Sequence, residues 1–380
     1  MGLTGARALV ATWMRKLPRT AGGYAEHVSS PWVEAASLGA LPERSALAQL
    51  RLAYTFLHAG KLGLEGAAAA GISALAGANR VFWREELRGW TRRADLEGAC
   101  LDATVDSYDQ AFGLLALAWD GSGPSRSQAY AALAGLDEEC RGPGGGYREF
   151  RNGFAAPGSL PVAGLRRQNP HMHLLEAFLA WWKVDPEGPW RERAAAMVAL
   201  LRNRFLESGE GFLREYFDEN WLPLGGESGS SLESGHHFEW VWLLSEYRKL
   251  SGDDSVALLA RKLYDFALKR GVDTDALAFE RISPRGEVVA GTKLLWPQTE
   301  QLKAHLAVYE WSGDAAARAA AQRVLRLIGS LYLGDGFFVN ALDRDRHPIH
   351  EPTRSRLLYH IFLALAEAER VLEPKSEDLR

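Results

Sequence analysis

The chain has 380 residues, 47% of them hydrophobic and 24% charged, with 16 Pro and 38 Gly, the make-up of a folded chain and not of a disordered or collagen-like one. Its 44 Lys and Arg against 48 Asp and Glu leave a net charge of −4 with no polybasic tract, so nucleic acid is not an expected partner. Cys100 and Cys140 are too few for a disulfide framework or a cysteine zinc site, no apolar run reaches the roughly 18 residues of a membrane span, and Met1 to Thr20 lacks a signal-peptide core; a cytoplasmic location is expected.

In chain order, six segments share one character: helix-period runs, apolar around most of their circumference, with polar residues gathered in the first two turns. They begin at Ala46, Val105, Gln168, Ser234, Lys293 and Thr353, recurring roughly every 60 residues. Between them lie ordinary amphipathic stretches around Ala68 to Trp83, Trp190 to Leu206, Ser255 to Arg270 and Ala315 to Leu331. Helices apolar all round belong inside and amphipathic ones outside, so the pattern predicts an all-α fold, an (α/α)6 barrel of six helical hairpins forming one domain over 1–380. An open solenoid of helix pairs is the rival arrangement. Turn-rich runs near Tyr147, Gly211, Leu277 and Gly336 read as short β-hairpins. Each precedes an inner helix, which would cluster them at one end of the barrel, over a walled cavity.

The unusual polar residues fall at that same end. Arg51 lies in the first inner segment, Tyr108 and Asp109 in the second, and Asn169, His171, His173 and Glu176 in the third. The fourth supplies His236, His237 and Glu239, the fifth Trp296, Gln298, Glu300 and His305, and the sixth Tyr359 and His360. Helix phase puts Asn169, His173 and Glu176 on one face and turns His171 about 200° from His173. The same phase pairs His236 with Glu239, which reads as an imidazole oriented by a carboxylate, an acid/base unit. The H-x-H pair at His171 is split by that phase and no HExxH follows, so no metal is expected. Neither G-x-S-x-G nor a phosphate-cradling Gly loop occurs. Proton transfer by imidazoles is what remains.

The segments RLAYTF at Arg51, YDQAF at Tyr108, NPHMHLLEA at Asn169, GHHFEW at Gly235, WPQTEQLKA at Trp296 and the final YH at Tyr359 resemble the N-acylglucosamine 2-epimerase superfamily. The motifs stand in family order from Arg51 to His360, nearly the whole chain. The resemblance implies an (α/α)6 barrel without cofactor, with His236 and His360 as general acid/base catalysts and Glu239 tuning His236. It implies Arg51 beside the carbonyl and hydroxyl oxygens, Asn169 and His173 on an open-chain sugar, and Tyr108, Trp296 and Glu300 lining the pocket. Arg354 and Arg356 make the approach to His360 more basic than a neutral sugar requires, leaving an anionic substituent open.

The expected activity is a metal-independent isomerase interconverting D-mannose and D-fructose through an enediol, acting on a small sugar as a monomer or homodimer. A 2-epimerase of glucose, cellobiose or an N-acylated hexosamine is the near alternative. A glycoside hydrolase using Glu239 and Glu300, and a helical-repeat binding module, are further ones.

Overall fold

A helix with apolar side chains all round has no face to offer water, and the six segments of that kind lie innermost. The computed structural model describes residues 3–29, 32–35, 43–150, 164–207, 209–334 and 336–373; the end of the turn-rich run near Tyr147, residues 151–153, falls outside them. Twelve long helices run along the described chain. In order they are α1 (Leu3–Lys16), α2 (Ala46–Lys61), α3 (Ala67–Phe82), α4 (Ser107–Asp120), α5 (Gly123–Glu139) and α6 (Gln168–Val184). Then follow α7 (Trp190–Leu200), α8 (Ser234–Ser251), α9 (Val256–Arg270), α10 (Leu295–Ser312), α11 (Ala315–Leu327) and α12 (Leu358–Leu372).

The even-numbered helices are the inner ones. In α8 every residue from Ser234 to Ser245 is buried, whereas the outer α11 buries only Ala317, Ala321 and Val324, a single stripe. The inner helices pack in the order α2, α4, α6, α8, α10, α12 and return from α12 to α2, and each outer helix covers one of them, α1 on α12 and α3 on α2. This is the expected (α/α)6 barrel; the return contact distinguishes it from an open solenoid. Close approach is built in where needed: a Cβ on Gly113 of α4 would stand 2.3 Å from the Trp90 ring, so only glycine lets that indole lie against the helix.

Closure is repeated in the backbone. The extended residue or strand before each inner helix pairs with the hairpin that follows in the chain: Arg44 with Ala94, Asp106 with Phe150, Arg166 with Phe217, Leu232 with Ile282 and Lys293 with Leu342. The sixth pairing, Thr353 with Val28, joins the last hairpin to the first. Residues expected to open helices at Val105, Lys293 and Thr353 are used in or beside these pairings, so the helices begin at Ser107, Leu295 and Leu358.

The fourth residue of five inner helices clamps the hairpin before it. Gln49, Gln110 and Gln298 each accept from and donate to one backbone residue, Tyr24, Trp90 and Ala278, at 2.8–2.9 Å. His171 and His237 do the same work with Nε2, which accepts from the N–H of Tyr147 and Leu213 at 2.9 Å. Buried backbone groups need partners, and these side chains supply them where a hairpin leaves regular pairing. The hairpins therefore sit fixed over the N-terminal ends of the inner helices.

Candidate active site

A cavity of about 280 Å³ opens among the inner-helix N-termini beneath the hairpins. Eight of the nine residues to which the resemblance gives a site role line it: Arg51, Tyr108, Asn169, His173, His236, Glu239, Trp296 and His360. The ninth, Glu300, is fully buried behind His360. A larger cavity, about 460 Å³, lies at the opposite end among Tyr54, Trp119, Glu176, Lys183 and Trp242; neither His236 nor His360 lines it.

His236 and His360 border the same indole, with ring centroids 5.1 and 5.8 Å from Trp296. Each has its own carboxylate. Nδ1 of His236 meets Glu215 Oε2 at 2.9 Å, and its Nε2 lies 3.8 Å from Glu233. Nδ1 of His360 meets Glu300 Oε1 at 2.8 Å. The pairing of His236 with Glu239 expected from helix phase is therefore corrected. Sharing a face does not fix a rotamer, and the hairpin carboxylate of Glu215 takes the ring instead. Glu239 lies 3.8 Å from His173 Nε2 and clusters with Glu300 and His360. The same i,i+3 interval is realised one helix earlier, where His173 Nδ1 meets Glu176 at 3.2 Å.

Glu215 escaped the sequence reading because it lies in a hairpin, beyond the reach of periodicity. It is held on all sides: Oε2 also accepts from Gln168 Nε2 at 2.9 Å, Oε1 from the Glu233 N–H at 3.2 Å, and its backbone carbonyl caps the first N–H of α6. The one available signal was register, since Glu26, Glu149, Glu215 and Glu280 each stand two residues after a clamped hairpin residue.

The surroundings drive the two imidazoles apart. Burial disfavours the charge on His236, but Glu215 and Glu233 outweigh it and push its pKa up to about 10. His360 is held well below the usual histidine value by burial, then by the positive Arg51 and Lys303. Its Glu300 neighbour does not reverse this because that carboxylate is already neutralised by Lys303, buried beside it at 2.6 Å. Burial together with Glu300 raises Glu239 well above the carboxylate range, so it stands as a neutral acid. Burial lowers His173 to about 4, leaving it a neutral hydrogen-bonding group.

Arg51 makes no ion pair among the described residues; Nη2 donates to Tyr108 Oη at 2.8 Å and its guanidinium lies over Phe112 and Tyr359, 4.2 and 4.9 Å from the ring centres. Asn169 Oδ1 is buried without a partner among the described residues. Two sets of donors come within 4.8 Å, Glu215 with Glu233 and His236, and Glu239 with Glu300 and His360; in the second, the Lys303 ammonium already occupies the charge of Glu300. That closeness also corrects the glycosidase alternative, whose inverting carboxyls stand roughly 6.5–9.5 Å apart across an open groove. The closed ring of helices likewise replaces the exposed concave surface of a repeat-type binding module. No helix among the described residues is long and apolar enough to cross a membrane.

Comparison with known proteins agrees with this geometry. The family model for N-acylglucosamine 2-epimerase (GlcNAc 2-epimerase) matches residues 34–364. A mannose-6-phosphate isomerase of Rhizobium meliloti (strain 1021) is 31% identical over 350 residues, 87% of each chain. A D-mannose isomerase of Thermobifida fusca is 25% identical over 340 residues, covering 83% of this chain and 82% of the relative. The structure of cellobiose 2-epimerase from Spirochaeta thermophila DSM 6192 superposes with a TM-score of 0.82 at 21% identity, over 98% of this chain and 97% of that one. The chain therefore belongs to the N-acylglucosamine 2-epimerase family of sugar isomerases and epimerases.

Proposed function

We propose that this protein is an aldose–ketose isomerase that interconverts D-mannose and D-fructose by proton transfer through a cis-enediol, without a metal. The observation that carries the reading is a pair of buried imidazoles, each with a separate carboxylate, bordering one small chamber on the same indole. Environments that push two titratable groups apart assign acid and base. His360, neutral, has Nδ1 engaged with Glu300 and Nε2 without a partner among the described residues, the arrangement of a general base. His236, kept as imidazolium, is the acid.

The open-chain aldose lies over Trp296. His360 takes the C2 proton while His236 gives its proton to O1, and the enediol forms. The O2 proton then passes to His236 and His360 returns its proton to C1, leaving the ketose and both side chains as they began. Arg51 and the neutral Glu239 stabilise charge gathering on the oxygens, and Tyr108, Asn169 and His173 hold the hydroxyls. The chamber, about 280 Å³, lies just under the roughly 300–1,000 Å³ typical of drug-sized ligands and suits a monosaccharide better than a disaccharide. Names of relatives support the hexose skeleton, D-mannose in one and mannose 6-phosphate in another.

The test is D-mannose in heavy water, with and without chelator. Fructose carrying deuterium at C1, formed equally in both, is expected. Glucose carrying deuterium at C2 would reassign the protein as a 2-epimerase, and unlabelled fructose would replace proton abstraction with a hydride shift.

A further inference from the structure

Along its Tyr108 side the chamber wall holds more positive charge than its carboxylates balance. Arg51, Arg167, Arg354 and Arg356 all line the cavity. Two of these are spent: Arg167 is ion-paired with Glu149, and Arg354 with Glu351 at 2.7 Å. The other two are not. Among the described residues no carboxylate oxygen comes within 4.0 Å of Arg51 or Arg356, Arg51 Nε is buried without an acceptor, and the Arg356 side chain donates no hydrogen bond. Arg356 is half-buried on the short turn Ser355–Leu357 that leads into α12.

The groups packed around Arg356 do not supply the missing charge. Glu26 is committed to the Ser45 backbone N–H, and burial pushes its pKa up to about 7. His27 is kept neutral by burial and by Arg356 and Arg354 themselves. Burial and the nearby Arg51 also lower the pKa of Arg356, the mark of like charges held together. A fold that keeps two guanidiniums lining one cavity, neither paired with a carboxylate, bears a cost that an arriving anion would relieve. Charge and planar donor geometry both suit a tetrahedral oxyanion.

We infer that Arg356, with Arg354 beside it, is an anion subsite of the reaction chamber, and that the preferred substrate is a hexose bearing a phosphate ester at the end of the chain remote from C1 and C2. This rests on the isomerase reading of the chamber: Arg51 serves the reacting oxygens beside His360, and Arg356, lining the same cavity, is the unpaired cation left for the far end of an extended sugar.

D-mannitol 1-phosphate and D-mannitol, linear polyols that cannot isomerise, are titrated into the full-length protein by calorimetry, beside Arg356→Leu and Arg356→Lys. A charge-assisted contact predicts tighter binding of the phosphate by roughly ten- to hundred-fold, a ratio that collapses toward one in Arg356→Leu and is partly restored in Arg356→Lys. Circular dichroism establishes that both variants fold. Equal binding of the two polyols, or a ratio unchanged by Arg356→Leu, overturns the inference. Turnover of D-mannose and D-mannose 6-phosphate separates the two readings. Mannose converted as fast as its phosphate sinks the anion subsite alone, whereas failure of both sugars to exchange the C2 proton sinks the isomerase and leaves the calorimetric ratio to judge the subsite.

Discussion

His236 and His237 are neighbours in sequence, equally buried, and opposite in use. Both nitrogens of His237 are consumed by backbone, Nδ1 donating to the Glu233 carbonyl at 3.0 Å and Nε2 accepting from Leu213. His171 is bound in the same way, to the Arg167 carbonyl and Tyr147. His236 and His360 instead have one nitrogen fixed by a carboxylate and the other turned to the chamber. A histidine between two backbone groups is a neutral strut; one between a carboxylate and a cavity has a proton to move. Residue type and burial do not separate the two classes, whereas the identity of the second partner does.

The largest effect should come from removing a chamber imidazole. His360→Asn or His236→Asn is expected to lower kcat for sugar interconversion by about 10²–10⁴-fold in protein that circular dichroism shows to be folded. The same change at His237 should leave the turnover of folded protein nearly intact. Loss of activity at His237 equal to that at His236 would erase the distinction between strut and catalyst. Next in size is Glu215→Gln, expected to cost roughly ten-fold in kcat. Its signature lies in the pH profile. Activity rises as His360 loses its proton, below the ordinary histidine range, and falls as His236 loses its proton toward about 10. Without the Glu215 charge the alkaline limb should move to lower pH while the acid limb stays. A glutamine that lowers kcat without moving that limb would make Glu215 a scaffold and not the tuning group.

The legible parts of the molecule were those governed by one helix at a time. Inner helices announced themselves because full burial demands apolar residues on every side, and the chamber residues because they are the polar exceptions near helix starts. The His173–Glu176 contact follows from phase alone. Glu215 was missed because its importance depends on a ring from another element, and Glu233 and Lys303 because the sequence reading sought the partners of His236 and Glu300 elsewhere. Lys303 sits within the WPQTEQLKA run one turn after Glu300, yet only the added approach of Glu239 from the neighbouring helix makes it the buried counter-charge of the site. Even the misassigned His236–Glu239 pair was right about the face and wrong about the rotamer, which a hairpin 21 residues upstream decides.

Smaller effects test the struts. His237→Leu keeps an apolar shape but strands the Leu213 N–H, and it should cost about 1–3 kcal/mol in chemical denaturation. Its leverage exceeds that of a surface histidine because the clamped hairpin also carries Glu215, so the variant should loosen the alkaline limb without abolishing it.

The gentlest perturbation is acid. Burial lowers His171, His173 and His237 to about 4, while the unfolded chain binds their protons near 6.5. Between those values the unfolded state holds more protons than the folded one, so stability rises with pH across that window and falls as pH drops from 6.5 toward 4. His236 has the opposite sign. Its raised pKa makes a contribution complete below 6.5 and lost as pH climbs toward about 10. The melting temperature should therefore decline on both sides of a maximum near neutrality, and His236→Asn should flatten the alkaline slope while sparing the acid one. Equal flattening of both slopes would mean that His236 titrates with the struts and that the carboxylates around it do not hold its proton.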